Sequence, residues 1–193
     1  MFIVNFFKRG MEWLGFFQKS ANIIFLGLDN AGKSTMLYVL QNDRFCELDS
    51  TYHPHQAEVT IGNIRFNSYD LGGHQAARKT WREYCGTLDG IIFMIDAADP
   101  NRLEESKAEL NKLFEMPELA NCPFVIFGNK VDKQGALSEE ELRDVLDLPF
   151  HKTFGKSADQ KNPGARPIEL FMCTVLKRAG YQDGFTWLSS FIK

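Results

Sequence analysis

Asn22-Ile-Ile-Phe-Leu-Gly-Leu28 runs straight into Gly27-Leu-Asp-Asn-Ala-Gly32-Lys33-Ser34, and Thr35-Met-Leu-Tyr-Val-Leu-Gln41 follows without a break. An unbroken apolar run, a glycine-bounded polar loop and a segment of helical periodicity read as strand, loop and helix in that order. This is the G-x-x-x-x-G-K-[ST] pattern in the context it requires. Its glycines allow backbone N–H groups to curl around phosphate oxygens. Lys33 would place an ammonium on the β/γ-phosphates, and Ser34 would offer a hydroxyl to Mg²⁺ at the positive end of the helix. The loop implies a nucleoside triphosphate, without naming the base or the reaction.

Downstream, Ala57–Ile61 and Ile64–Tyr69 alternate apolar and polar residues about Gly62-Asn63 and predict a hairpin with a tight turn. The second strand ends in Asp70-Leu-Gly-Gly73-His74, where an aspartate at a strand's edge can orient Mg²⁺-bound water and Gly73 can offer its N–H to a γ-phosphate. Gly90–Asp96 and Phe124–Gly128 are continuous apolar runs with helical segments between them, as parallel strands covered on both faces require. After the latter comes Asn129-Lys-Val-Asp132. The Asp132 carboxylate can accept from both N1–H and the exocyclic amino group of guanine, a donor pattern adenine lacks. Asn129 and the Lys130 stem would brace the loop and the ring.

With 193 residues, 44% of them apolar, the chain suits one globular domain with a sizeable core. Lys+Arg at 22 against Asp+Glu at 25 leaves no basic excess, so no nucleic-acid partner is expected. Cys46, Cys85, Cys122 and Cys173 are scattered, with no C-x-x-C pair and no metal-like His spacing. That argues against a zinc site or disulfide framework and fits a reducing, cytosolic setting.

The aromatic residues crowd into the first stretch: Phe2, Phe6, Phe7, Trp13, Phe16 and Phe17. On a helix advancing ~100° per residue, Asn5, Lys8, Arg9 and Glu12 fall in one sector, with Val4, Phe6, Phe7, Met11, Trp13, Leu14 and Phe17 opposite. Phe16 lies among the polar residues, and Gly10 and Gly15 weaken helix propensity. A membrane span needs ~20 mostly uncharged residues, and these charges interrupt the stretch. Neither a span nor a cleaved secretory signal is expected. Either the helix packs on the protein's own core, or it lies in a membrane interface with Lys8, Arg9 and Lys19 facing anionic head groups. Phe2 stands where myristoylation needs glycine, and the chain ends Ser-Phe-Ile-Lys with no prenylatable Cys. Attachment would come from side chains alone.

These elements in this order resemble the Ras-like small GTPases, and within them the Sar family, relatives of the ARF family that start COPII coat assembly on the endoplasmic reticulum. The resemblance rests on Phe25-Leu-Gly-Leu-Asp-Asn-Ala-Gly-Lys33, His53-Pro54, Asp70-Leu-Gly-Gly-His74, Ala165-Arg-Pro167, and Phe171-Met-Cys-Thr-Val-Leu-Lys-Arg178 followed by Phe185-Thr-Trp-Leu-Ser189. The implied fold is α/β: a P-loop NTPase small G-domain with a mixed, mostly parallel six-stranded sheet, helices on both faces and an N-terminal amphipathic helix. Residues 1–20 are expected to form the membrane-binding helix and residues 21–193 the GTPase domain.

By resemblance, Asp29, Asn30, Ala31, Gly32, Lys33, Ser34 and Thr35 would form the phosphate and Mg²⁺ shell. Thr51 would close over Mg²⁺ in the GTP state, and Ser34, Thr51 and Asp70 would be the metal's protein ligands. Ser34 stands where the family commonly has Thr, and Ser50 where it usually has Pro. Asn129, Lys130 and Asp132 resemble the guanine clamp. Cys173, Thr174, Val175 and Leu176 resemble its last loop, where the Val175 N–H would mark guanine O6. His74 occupies the place where most small GTPases carry Gln and would position the attacking water as the catalytic residue. No Arg precedes Thr51 among Leu48, Asp49 and Ser50, so unaided hydrolysis is expected to be slow. GTP/GDP and Mg²⁺ are the implied cofactors. The implied partners are the ER membrane, the COPII inner coat subunit as GTPase activator, and a membrane-bound guanine nucleotide exchange factor. Localisation would be the cytosol and the cytoplasmic face of the ER membrane, with the Golgi as a further station.

A P-loop phosphotransferase shares the phosphate loop but leaves Asn129-Lys-Val-Asp132 unexplained, and a non-catalytic GTP-bound scaffold leaves His74 unexplained. Pro149–Pro167 is polar and punctuated by Gly and Pro, and is expected to be surface filler. Ser138-x-x-Glu141 predicts a capping box, and Phe185–Ile192 a terminal packing helix.

Overall fold

The computed structural model describes residues 19–42, 55–61, 64–78, 81–157 and 165–192. The expected N-terminal amphipathic helix, Thr51, His53-Pro54 and the Gly62-Asn63 turn lie outside them. Strands β1 (Lys19–Leu26), β2 (His55–Ile61), β3 (Ile64–Asp70), β4 (Gly90–Asp96), β5 (Phe124–Asn129) and β6 (Ile168–Met172) form one sheet in the order β2-β3-β1-β4-β5-β6. Only the β2–β3 pair is antiparallel. The mixed, mostly parallel sheet is as the sequence implied.

The helices are α1 (Lys33–Asn42), the single turn α2 (Gln75–Arg78), α3 (Leu103–Phe114), α4 (Glu139–Leu146) and α5 (Tyr181–Ser189). Period-two alternation along the central strands sorts their side chains between two cores. Ile23, Phe25, Ile92, Met94, Val125 and Phe127 meet α1 and α5 on one face. Ile24, Leu26, Ile91, Phe93, Ile95 and Ile126 meet α3, α4 and Trp81 on the other. Such strands must be apolar throughout, which is why they read as unbroken runs. Phe185 of α5 anchors the first core, its ring 5.6 Å from Phe127 and 6.3 Å from Phe66. Among the described residues no helix is long and apolar enough to cross a membrane.

Two expected boundaries move. Lys19 and Ser20 belong to β1, paired with Ile64 and Arg65, so the division at residue 20 falls inside a strand. Polar residues open that strand, and Asn67 Nδ2 donates to Asn22 Oδ1 at 3.0 Å. The terminal helix begins at Tyr181, behind left-handed Gly180 (φ 85°), rather than at Phe185.

The expectation of surface filler over Pro149–Pro167 fails for its described parts. Phe150–Lys152 form a 3-10 turn, Thr153 is buried, and the Trp187 Nε1–H donates to the Gly155 carbonyl at 2.8 Å. Phe154 packs 5.1 Å from Phe191. Beneath them the buried Arg143 of α4 pairs with buried Glu169 of β6 and with Glu139 at 2.9 Å. The Glu169 carboxylate also accepts from the Gly155 N–H at 2.8 Å and the Leu170 N–H at 3.0 Å. The capping box forms as expected, Ser138 and Glu141 bonding reciprocally.

Removing one member of a buried ion pair leaves the other charge desolvated. Glu169→Ala is therefore expected to lower unfolding free energy by about 3–5 kcal/mol in urea titration. Removing the exposed Lys152–Asp147 pair should leave the midpoint where it was.

Candidate functional site

Parallel register brings the chemistry-bearing loops to one end of the sheet. Phe25 lies level with Asp70, Asp96 with Asn129, and Gly128 with Met172, so the loops after β1, β3, β5 and β6 open at the same carboxyl edge. In open α/β sheets that edge is where ligands bind.

The loop after β1 is shaped by its glycines. Gly27 (φ 129°) and Gly32 (φ 100°) are left-handed, and a Cβ at either would overlap the Met94 carbonyl oxygen or the Asn129 amide, respectively. Met36 N–H bonds the Gly32 carbonyl at 2.9 Å, so α1 winds directly out of the loop. Ser34 and Thr35 fall in its first turn, where orphan N–H groups and the helix dipole favour anions. Lys33 is buried beneath the loop with its Nζ donating to the Leu28 carbonyl at 2.8 Å. Burial pushes its pKa down to about 8, against the pull of Asp70 and Asp29.

The loops after β5 and β6 are held by Asn129. Its Nδ2 donates to the Ala31 carbonyl at 2.9 Å, and its Oδ1 accepts from the Val175 N–H at 3.1 Å. The N–H expected to mark guanine O6 is thus engaged by Asn129 in this structure. Cys173 Sγ approaches the same Oδ1 at 3.8 Å, and burial raises that thiol to about 12, which keeps it protonated and unreactive. Thr174 Oγ1 donates to the Asp132 carboxylate. That bond, foremost, holds Asp132 below the ordinary carboxylate range, so it is ionised and purely an acceptor. Lys130, left-handed at φ 68°, sets its ammonium 2.7 Å from Asp96 and 3.2 Å from Asn30 Oδ1. Leu176 is half exposed beside them.

After β3, buried Asp70 ends the strand. Gly73 lies so close to the phosphate loop that a Cβ would overlap the backbone of Leu28 and Asp29. Only glycine permits this approach. His74 caps α2, its Nδ1 accepting from the Ala77 N–H at 3.3 Å, an arrangement that assigns the ring proton to Nε2. Trp81 Nε1–H donates to the Gly72 carbonyl at 3.2 Å.

The structure therefore gathers Asp29–Thr35, Asp70, Gly73, His74, Asn129, Lys130, Asp132 and Cys173–Leu176 at one edge, while Thr51 lies outside the described residues. It adds residues the sequence did not single out. Arg102 grips the Asp29 carboxylate at 2.9 and 3.1 Å and the Asp29 carbonyl at 3.1 Å. Bonds to Arg102 draw the Asp29 pKa below its ordinary value. Arg102 sits in a 3-10 turn before α3 with no motif around it, so only tertiary placement reveals it.

Residues 7–192 match the ADP-ribosylation factor family. The chain belongs to that family. Curated relatives include the small COPII coat GTPase SAR1 of Giardia intestinalis, 43% identical over 97% of this chain and 98% of that protein. The small COPII coat GTPase SAR1 of Nicotiana tabacum is 36% identical over the whole of both. Among solved structures, the Arl6 BBS3 small GTPase from Trypanosoma brucei, with bound nucleotide analogue GppNp, superposes with TM-score 0.75. It is 27% identical and covers 89% of this chain and 96% of that one. The Sar-type resemblance in the sequence thus has its counterpart in full-length relatives.

Asn129→Ala would orphan the Ala31 carbonyl and the Val175 N–H together. A loss of at least about 2 kcal/mol in unfolding free energy is expected. Asn129→Asp, which keeps the acceptor but sets a buried carboxylate against the Ala31 carbonyl, should lose at least as much at neutral pH in the same titration.

Proposed function

We propose that this chain is a small GTPase of the COPII coat, a switch that binds GTP, hydrolyses it to GDP and phosphate, and acts in vesicle budding between endoplasmic reticulum and Golgi. The observation that carries this reading is one amide, Asn129, that ties a phosphate loop to the loop after β6 beside an ionised, guanine-complementary aspartate, in a chain whose relatives are named as small COPII coat GTPases.

Each residue has a part in that reading. Backbone N–H groups of Asp29–Thr35 and the Lys33 ammonium receive the phosphates. Asp132 accepts the two guanine donors while the Lys130 stem, Val175 and Leu176 border the ring. Gly73 offers its N–H to the γ-phosphate. His74 holds the attacking water through its Nε2–H, because phosphoryl transfer asks for placement more than for a strong base. Magnesium fits the donor set: the Ser34 hydroxyl and the Asp70 carboxylate are few, hard oxygen ligands, as suits an ion that keeps waters and phosphate oxygens around it. Among the described residues no three His, Cys, Asp or Glu side chains cluster into a closed cage for another metal. When bound with these ligands and Thr51, magnesium supplies charge neutralisation for the phosphates.

Residues 1–18 act as the membrane helix on this reading, inserted when GTP is bound. The coat's inner subunit supplies the missing positive charge for hydrolysis, and a membrane-bound exchange factor reloads GTP.

Inosine triphosphate lacks the 2-amino group, so it forfeits one bond to a charged acceptor. It should bind about 10- to 100-fold more weakly than GTP, and ATP more weakly still, in competition against labelled GTP. Equal competition by all three would remove the guanine assignment. Full-length protein with a non-hydrolysable GTP analogue is expected to float with anionic liposomes, whereas a chain beginning at Lys19 stays soluble. Equal flotation of both chains in GTP and GDP states would sink the membrane step.

A further inference from the structure

Arg78, on the last residue of α2, is an almost buried cation shared among parts of the site that are far apart in sequence. Its side chain is 7% exposed. Nε donates to the Gly73 carbonyl at 2.6 Å. Nη2 meets Glu105 of α3 at 2.7 Å and lies 3.9 Å from Asp29 of the phosphate loop. Nη1 meets Glu109, one turn further along α3, at 3.3 Å. Glu105 also accepts from Arg102 at 3.0 Å, and Arg102 in turn clamps Asp29. Lys112 shares Glu109 at 2.9 Å. Two arginines and a lysine thus balance three carboxylates, and the group needs no further counter-ion.

The bond to Gly73 sets this arrangement apart from an ordinary ion pair. The Gly73 carbonyl belongs to the peptide whose nitrogen is His74's. Guanidinium is a rigid planar fork whose donors point in fixed directions. With Nη1 and Nη2 pinned to α3, the direction of Nε is set, and with it the plane of the Gly73–His74 peptide. Gly73 already abuts the backbone of Leu28 and Asp29, and the His74 ring is held by the Ala77 N–H. A rotation of that peptide would move the His74 ring relative to the phosphate loop.

We propose that Arg78 is a positioning residue for GTP hydrolysis: anchored on Glu105 and Glu109 of α3, it fixes the Gly73–His74 peptide against the phosphate loop and so places the His74 ring. Arg78 acts only through its neighbours. This rests on the reading that His74 holds the attacking water. A lysine cannot replace it, because one ammonium on a flexible stem cannot bind the carbonyl and both glutamates in fixed directions.

The test is a mutant cycle on full-length protein preloaded with γ-labelled GTP, measuring single-turnover hydrolysis with and without the coat activator, and GTP dissociation separately. Arg78→Ala and Arg78→Lys should each slow hydrolysis about tenfold to a hundredfold, the scale of a small misplacement of a reacting group. The GTP dissociation constant should move by less than about threefold, because the Gly73 N–H is one of many donors to the phosphates whereas His74 alone places the water. In a His74→Gly background Arg78→Ala should add no further slowing. Glu109→Gln, which loosens one arm at the rim and leaves the fold's core alone, should slow hydrolysis by a smaller factor and likewise do nothing in the His74→Gly background. Full slowing by Arg78→Ala on top of His74→Gly, a parent-like rate in Arg78→Lys, or loss of GTP affinity in step with the rate would overturn the proposal. Should Arg78→Ala unfold, Glu109→Gln decides by the same cycle. A His74→Gly rate equal to the parent's strikes the reading of His74 itself, and is seen in that single variant before any cycle is closed.

Discussion

One buried amide holds the nucleotide end of this molecule together. Asn129 donates to the carbonyl of Ala31 in the loop after β1 and accepts from the N–H of Val175 in the loop after β6. Its own backbone ends β5. Gly32 has to be glycine because this amide fills the space a side chain would need. In a low-dielectric interior each of these bonds is costly to leave unmade. Loops separated by nearly a hundred residues are therefore set to one geometry, and on the proposed reading the distance between phosphate and base recognition is decided before any ligand arrives.

Electrostatics divide the same edge into two territories. On the phosphate side the fold tolerates a buried lysine at the cost of lowering its pKa, and surrounds it with Asp70 and Asp29, which pull it back toward the charged form. Asp29 is itself occupied by Arg102. Arg102 and Arg78 are committed to carboxylates and the Lys33 ammonium to the Leu28 carbonyl, so on the proposed reading incoming phosphates would redistribute partners there. On the base side the charges are arranged otherwise. Asp132 is kept anionic by a neutral hydroxyl, from Thr174, while Lys130 is engaged by Asp96 and by Asn30. On the proposed reading, recognition there is a matter of hydrogen-bond pattern, and at the phosphate end a matter of charge.

Much of this could be read from residue order because the chemistry requires particular side chains at fixed spacing beside continuous apolar strands. β4 spans Gly90–Asp96 as its run of residues implies, and Ser138 with Glu141 forms the cap. What stayed hidden lacked an apolar or motif signature. The start of β1 stayed hidden because Lys19 and Ser20 are exposed polar residues, paired with Ile64 and Arg65 of β3 through the backbone. The first turn of α5 contains Gly184, which weakens its helical signal and sits where the Phe127 ring approaches. Thr153–Gly155 looked like loop because their partners, Arg143, Glu169 and Trp187, come from α4, β6 and α5. The arginines around Asp29 were invisible for the same reason: nothing in the sequence near Arg78 or Arg102 says which carboxylate it will meet.

The two tryptophans within the described residues are buried at opposite ends of the sheet, each with its indole N–H on a backbone carbonyl. Trp81 bonds Gly72, the residue before Gly73, whereas Trp187 bonds Gly155 at the far end. Indole emission responds to solvent exposure and to loss of such a bond. Two of the three tryptophans are therefore intrinsic optical gauges within the described residues, one reading the loop after β3 and the other the opposite pole. With Trp13 and Trp187 both replaced by Phe, emission from Trp81 would follow that loop in real time without any attached dye.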